Sequence, residues 1–309
     1  MELPSRVRIY EVGARDGLQN ESQPLSTETK LEYIALLRAA GLREIEATSF
    51  VAPSAIPQLA DADELLRALD PASAEVRYPV LVPNIRGLER AEQAGAAAIA
   101  VFTAASDAFT QRNIGMTVEA SLDAFAPVLA RARANDWWTR AYVSTAFGCP
   151  FTGRVDPGRV VEVGLRLADL GAQEICIGDT IGVGVPNQVT DLTGRLVDAG
   201  LATERLAFHF HDTRGTGLAN VMAGLLAGVS CFDSSTGGTG GCPYAPGAAS
   251  NLATEDLVYL LDGMGISHDA HLAGVLVAAR FIASALGRPL ASKVGQAGGW
   301  DPLSGQALT

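Results

Sequence analysis

The sequence predicts an α/β protein built as a (β/α)8 TIM barrel with an additional C-terminal helix. Three observations carry that prediction. Short β-rich runs alternate with amphipathic segments eight times, as chained βαβ units do. The units recur at roughly thirty residues, and eight of them fill one barrel of ordinary size. A doubly wound open sheet is the competing fold, but no GxGxxG follows the first strand, where that fold carries its phosphate-binding turn.

The first unit reads RVRIYEVG (6–13), followed by a helix over 26–40. Ser26 suits an N-cap and Glu28 the positive end of the helix dipole. Leu31, Ile34, Leu36 and Leu37 form the apolar stripe, and Gly41 stands where a helix ends in a left-handed residue. The same grammar repeats along the chain. REIEATSF (43–50) precedes a helix over 61–69, and RYPVLVPN (77–84) precedes one ending at Gly95. AAIAVFTAA (97–105) leads to 117–135, and TRAYVSTAF (139–147) leads to 157–170. EICIGDT (174–180) precedes 186–199, LAFHFHD (206–212) precedes 216–227, and SCFDSST (230–236) precedes 251–264. The extra helix follows at 270–286. One domain is expected over 1–309, with the barrel at 6–265 and a flexible Gly- and Pro-bearing tail after Gly298.

Composition narrows the function classes. With 48% hydrophobic residues in 309, the chain has material for one sizeable core. A net charge of −11 without a basic run of five or more excludes nucleic acid as a partner. An acidic protein that binds an anion must then place arginines locally. No apolar run reaches 18 residues, so no membrane span is expected. Strand-like sequence begins near Arg6, which leaves no room for a targeting peptide. Cys149, Cys176, Cys231 and Cys242 are too far apart for a CxxC motif, and a reducing bacterial cytoplasm is the expected location. Lys30 and Lys293 are the only lysines against many arginines, a bias of GC-rich genomes.

Barrel enzymes place their chemistry at the C-terminal ends of the strands, and here those ends are polar. The first strand runs into Arg15-Asp16-Gly17, the second carries Glu46, the third ends at Asn84 and the fifth contains Tyr142. Asp179-Thr180 ends the sixth and His209-Phe210-His211-Asp212 the seventh, and Gly240-Gly241-Cys242-Pro243-Tyr244 follows the eighth. His209 and His211 are two apart, so on a strand both imidazoles face one side. Two such rings suit a divalent metal completed by oxygen ligands; as packing, they would be satisfied core histidines. Asp16 is the first-strand ligand candidate, although Asp-Gly is also a common turn. Arg15 follows a buried strand and should point into the mouth, where a guanidinium can stabilise an enolate or carboxylate. Cys242 lies in SSTGGTGGCPYAPGA, too glycine-rich for packing, where a thiol can donate a proton or act as nucleophile. The other three cysteines read as packing. Glu46 and Asp179 rest on position alone, since either also suits a cap or turn. Asn251 reads locally as the N-cap of the last barrel helix.

On EVGARDGLQNE (11–21), IEATSFVAP (45–53), GDTIGVG (178–184), HFHDT (209–213), GGCPYAPGA (240–248) and NLATEDLVY (251–259), the chain resembles the 3-hydroxy-3-methylglutaryl-CoA lyases. They belong to a wider group of barrel metallolyases and Claisen synthases sharing an Arg-Asp-Gly-x-Gln opening and an HxH strand. The resemblance implies that Asp16, His209, His211 and Asn251 hold Mg²⁺ or Mn²⁺. It implies catalytic roles for Arg15 and Cys242, with Glu46, Asp179 and Glu255 in support and Tyr142 and Arg140 near the substrate. The implied reaction is a retro-Claisen cleavage of a small-molecule acyl-CoA by a homodimer, with His209 or Asp179 as base. Ala14, Ser22 and Arg214 depart from the better-known members, which tend to carry proline, lysine and tyrosine there. No cysteine follows Cys242. A lyase for a bulkier 3-hydroxy-3-substituted glutaryl-CoA and a Claisen-type synthase are the alternatives within the group. A noncatalytic metal-binding barrel would have no use for Arg15 or Cys242.

Overall fold

The structure is a computed structural model that describes residues 3–69, 75–241 and 250–299. The strands are β1 (Arg8–Glu11), β2 (Glu44–Ile45), β3 (Thr48–Ser49), β4 (Val80–Leu81), β5 (Ala98–Ala104), β6 (Trp138–Ser144), β7 (Glu174–Asp179), β8 (Leu206–Phe210) and β9 (Cys231–Ser234). All pair in parallel, in the order β2-β1-β9-β8-β7-β6-β5-β4-β3. The two ends of that order are one strand interrupted at Glu46-Ala47. Across the interruption, Glu46 N–H donates to Glu11 O at 2.8 Å and Ala47 N–H to Pro79 O at 3.0 Å. The expected 43–50 strand therefore pairs on both sides and curls the sheet into a TIM-barrel-like α/β fold.

The helices are α1 (Thr27–Ala39), α2 (Ala62–Ala68), α3 (Ile85–Gln93), α4 (Asp107–Ile114), α5 (Val118–Ala134), α6 (Pro157–Asp169), α7 (Pro186–Asp198), α8 (Gly217–Leu226), α9 (Thr254–Met264), α10 (Leu272–Leu286) and the short α11 (Lys293–Ala297). Among the described residues, none is long and apolar enough to cross a membrane. Ser26 caps α1 by accepting the Thr29 N–H. The face α1 buries differs from the expected stripe: Lys30, Tyr33, Ile34 and Leu37 are buried, while Leu31 and Leu36 are only partly so. Lys30 is buried because its ammonium reaches Asp61 at 2.6 Å and Gln58 O at 2.5 Å. That pins the loop between β3 and α2.

Four local expectations are corrected. The third strand shrinks to two residues because Pro79 and Pro83 flank it and offer no N–H to a ladder. Asn84 is consequently not a residue of the mouth; its side chain caps α3 by accepting the Gly87 N–H at 3.0 Å. A helix unforeseen between 105 and 117, α4, is capped by Ser106 and ends at the left-handed Gly115. Asn251 does not cap the last barrel helix, whose N-cap is Ala253. It is bridged instead to His211, with Leu252 N–H donating to Phe210 O at 3.0 Å. Cys242 and the tail beyond 299 lie outside the described residues.

Candidate active site

β1 ends in a π-helical turn, Gly13–Gly17, that carries Arg15 and Asp16 to the C-terminal mouth. The turn fits because glycines stand at its tight points. A Cβ on Gly17 would meet Thr239 Oγ1 at 2.3 Å and Ser235 Oγ at 3.0 Å. Glu11, fully buried at the end of β1, accepts the Gly13 N–H and the N–H and hydroxyl of Thr236. It thereby joins the β1 turn to the root of the loop after β9.

Asp16, His209 and His211 converge there, with one ligand atom of each within 4.8 Å of the others. The two imidazoles share one side of β8, as their spacing requires, and their Nε2 atoms stand 3.2 Å apart. Asn251 joins them by donating its amide to Asp16 Oδ2 at 2.8 Å and to Thr239 O at 2.8 Å. Its Oδ1 and the Nδ1 of His211 are buried without a hydrogen-bond partner. Two imidazole nitrogens, a carboxylate and a spare amide oxygen form a donor set that fits a divalent cation with mixed N and O ligands. Burial and the neighbouring His209 push His211 down to about 3, which keeps it in the neutral form that ligates. Asp16 is held below the usual carboxylate range: burial opposes its charge, but Arg15 and His209 outweigh burial.

Arg15 is 6% exposed. Its guanidinium reaches Glu46 at 2.7 Å and Asp16 at 2.7 Å and lies 5.7 Å from the Tyr142 ring centre. Burial works against its charge, yet Glu46 and Asp16 raise its pKa further above the ordinary arginine value. Tyr142 donates its hydroxyl to the same Glu46 at 3.2 Å. Arg15, Asp16, Tyr142, His209 and His211 line a cavity of about 390 Å³. Its apolar lining includes Val51, Ile56, Phe102, Phe109 and Ile114, the last two from α4.

Other expected residues fall outside this cavity. Arg140 sits nearer the N-terminal end of the barrel, fully buried between Asp233 at 2.6 Å and Glu174 at 3.1 Å, and is not among the residues lining the cavity. Asp179 accepts the Val183 and Gly184 N–H groups at 3.0 and 2.9 Å and orders the turn after β7. Glu255 accepts the Gly237 N–H at 2.8 Å beneath the β9 loop. Arg214 donates to Ile181 O and Gly182 O, fastening that same turn from the outside. Thr180, expected only as the polar end of the sixth strand, gains a place in the lining, and Asp233 escaped the sequence reading. Thr180 lines the cavity and accepts the N–H of Thr145 at 2.7 Å, and Thr145 holds a φ of 56°, rare for a β-branched residue. Asp233, in an apolar strand, meets His209 Nδ1 at 3.0 Å; a carboxylate inside SCFDSST was its only signal.

The HMGL-like family model matches residues 6–282. The chain belongs to the HMGL-like family. Mitochondrial hydroxymethylglutaryl-CoA lyase of Rattus norvegicus is 49% identical over 296 residues, covering 96% of this chain and 90% of the relative. The crystal structure of hydroxymethylglutaryl-CoA lyase from Pseudomonas aeruginosa superposes with a TM-score of 0.92 at 44% identity, over 96% of this chain and 98% of that one. A lyase structure from Acinetobacter baumannii, in complex with coenzyme A and 3-methylmalate, gives 0.92 at 33% identity over 98% of each chain. The HMGL-like match extends through all the described cavity residues and the whole run of barrel strands.

Proposed function

We propose that this chain is a divalent-metal-dependent carbon–carbon lyase that cleaves 3-hydroxy-3-methylglutaryl-CoA to acetyl-CoA and acetoacetate. The observation that carries the reading is the Asp16–His209–His211 cluster beside a buried, charge-locked Arg15 in the lining of the cavity. Asp16, His209, His211 and Asn251 would hold Mg²⁺ or Mn²⁺, which would supply Lewis acidity toward the tertiary hydroxyl and a carboxylate of the substrate.

The remaining chemistry belongs to the protein. Once the hydroxyl gives up its proton, the C2–C3 electron pair moves onto the thioester and acetoacetate departs. Arg15, fixed between Glu46 and Asp16, stabilises the thioester enolate without reorganising. Of the two expected bases, His209 lines the cavity, whereas both oxygens of Asp179 already accept backbone N–H groups. Cys242 is assigned the proton that converts the enolate to acetyl-CoA, on the chemistry of its glycine-rich surroundings in the sequence. A reducing cytoplasm fits the buried free thiols Cys149, Cys176 and Cys231, and a homodimer follows from the family resemblance.

The apolar residues in the lining favour a second reading in which a longer C3 substituent replaces the methyl. One assay separates them: turnover of a panel of 3-hydroxy-3-alkylglutaryl-CoA thioesters, with and without added Mg²⁺ or Mn²⁺. Metal-dependent release of acetyl-CoA, with the highest kcat/KM for the methyl compound, is expected. A preference for a longer chain selects the second reading, and no cleavage of any member overturns both.

A further inference from the structure

His209 and Asp233 stand directly opposite each other on β8 and β9. Asp233 is 1% exposed, and each of its oxygens is committed. Oδ1 takes Arg140 Nη2 at 2.6 Å, while Oδ2 faces His209 Nδ1 at 3.0 Å and the Cys176 thiol at 3.6 Å. Arg140 is wholly buried and ion-paired on its far side to Glu174, which is itself paired to Arg8. A line of alternating charges thus runs up the barrel interior and ends on one ring nitrogen of His209. With the guanidinium of the buried Arg140 2.6 Å from its Oδ1, Asp233 is held as a carboxylate anion.

An ionised carboxylate only accepts hydrogen bonds. The proton between Asp233 and His209 therefore sits on Nδ1, and a neutral ring must present Nε2 bare. That nitrogen is the one facing His211 at 3.2 Å and the Asp16 cluster. The opposite tautomer would set a bare Nδ1 lone pair against Asp233 and turn an N–H toward the place a cation would take. A buried carboxylate on the far nitrogen is how metal-binding histidines are commonly oriented. The same bare Nε2 would be needed if His209 acted instead as the base, a role it could not hold while ligating through that atom.

We propose that Asp233, braced by Arg140, is a positioning residue that locks His209 in the Nδ1–H tautomer and aims its Nε2 lone pair into the site. The consequence for cation affinity rests on the metal reading above; the tautomer itself does not. With only four histidines in the chain, a ¹⁵N-histidine-labelled sample gives long-range ¹H–¹⁵N spectra that assign each ring. In the metal-free wild type at alkaline pH, where the imidazole is neutral, His209 should show a protonated Nδ1 and an unprotonated Nε2. A protonated Nε2 there overturns the proposal, and this arm requires no variant to fold. In Asp233→Asn, Arg140 should claim the amide oxygen and leave the amide N–H₂ facing Nδ1, so the tautomer should invert. Mn²⁺ affinity, read by titration of the free ion's electron-spin resonance, should then fall roughly 10–100-fold. A folded Asp233→Asn protein with the wild-type tautomer and unchanged Mn²⁺ affinity also overturns it. Wild type that shows the Nδ1–H tautomer but binds no Mn²⁺ would sink the metal reading while leaving the lock in place.

Discussion

Arg15 illustrates how a buried charge becomes a fixed tool. Its guanidinium is nearly excluded from water, yet two carboxylates at 2.7 Å keep it charged, so it needs no reorganisation when negative charge develops beside it. Arg15→Gln should lower kcat by roughly 10²–10³-fold with little change in KM, the signature of an interaction made only in the transition state. Steady-state kinetics on the acyl-CoA substrate checks this, and a pure KM effect would reassign Arg15 to ground-state binding. Glu255 offers a test of a different kind. Burial pushes its carboxyl up to about 8 from an ordinary 4.5. Between those values the folded chain keeps a proton that the unfolded chain releases, so stability falls as pH rises, by about 1.4 kcal/mol per pH unit. This contribution is complete below about 4.5 and lost above about 8. Glu255→Gln can still accept the Gly237 N–H but cannot titrate. Its urea-unfolding free energy relative to wild type should improve steadily across that window, and a constant difference would show that Glu255 is ionised throughout.

At the scale of elements, the site depends on a short turn more than on any strand. The π-helical Gly13–Gly17 segment carries Arg15 and Asp16 and packs against the Ser235–Thr239 hydroxyl pair, bonded at 2.6 Å. Gly17→Ala would drive a methyl into both hydroxyls. A cost of roughly 1–3 kcal/mol is expected, together with a loss of activity as Asp16 shifts. Chemical denaturation and kcat measured on one preparation check both parts, and wild-type values for both would mean the turn has slack. The turn was invisible in the sequence because Arg-Asp-Gly is compatible with many tight conformations. The α4 helix was hidden for a related reason. Its eight residues are too few for an apolar period to stand out, and its Phe109 and Ile114 line the cavity. Strands were legible where they were long: β5, β6 and β7 lie within their expected runs at one or both ends, while Pro79 and Pro83 shortened β4 in a way that hydrophobicity alone does not register.

For the whole molecule, the cation site ties separate parts of the barrel together. Asp16 comes from the turn after β1, His209 and His211 from β8 and its end, and Asn251 from the approach to α9. A cation bound by all four should therefore stabilise the folded chain against the unfolded one. Mn²⁺ at about a hundred times its dissociation constant adds roughly 2.7 kcal/mol, visible as a rise of several degrees in Tm. His211→Ala should remain folded, lose that rise and lose activity. A wild-type Tm indifferent to Mn²⁺ and to chelator would remove the metal from the proposed reaction.

The sequence by itself determined the barrel grammar, the helix starts at Ser26 and Pro157, and the shared side of His209 and His211. All of these are periodic or local: a strand alternates every two residues, and a cap acts within one turn. Only the tertiary structure decided that Asn251 lies beside Asp16 rather than capping a helix, and that Arg140 is an interior brace rather than a wall of the mouth. It alone brought Asp233 against His209. The physical reason is that these contacts join residues brought together by strand register and closure of the sheet. Neither the spacing nor the chemistry of any one segment encodes which buried charge will meet which.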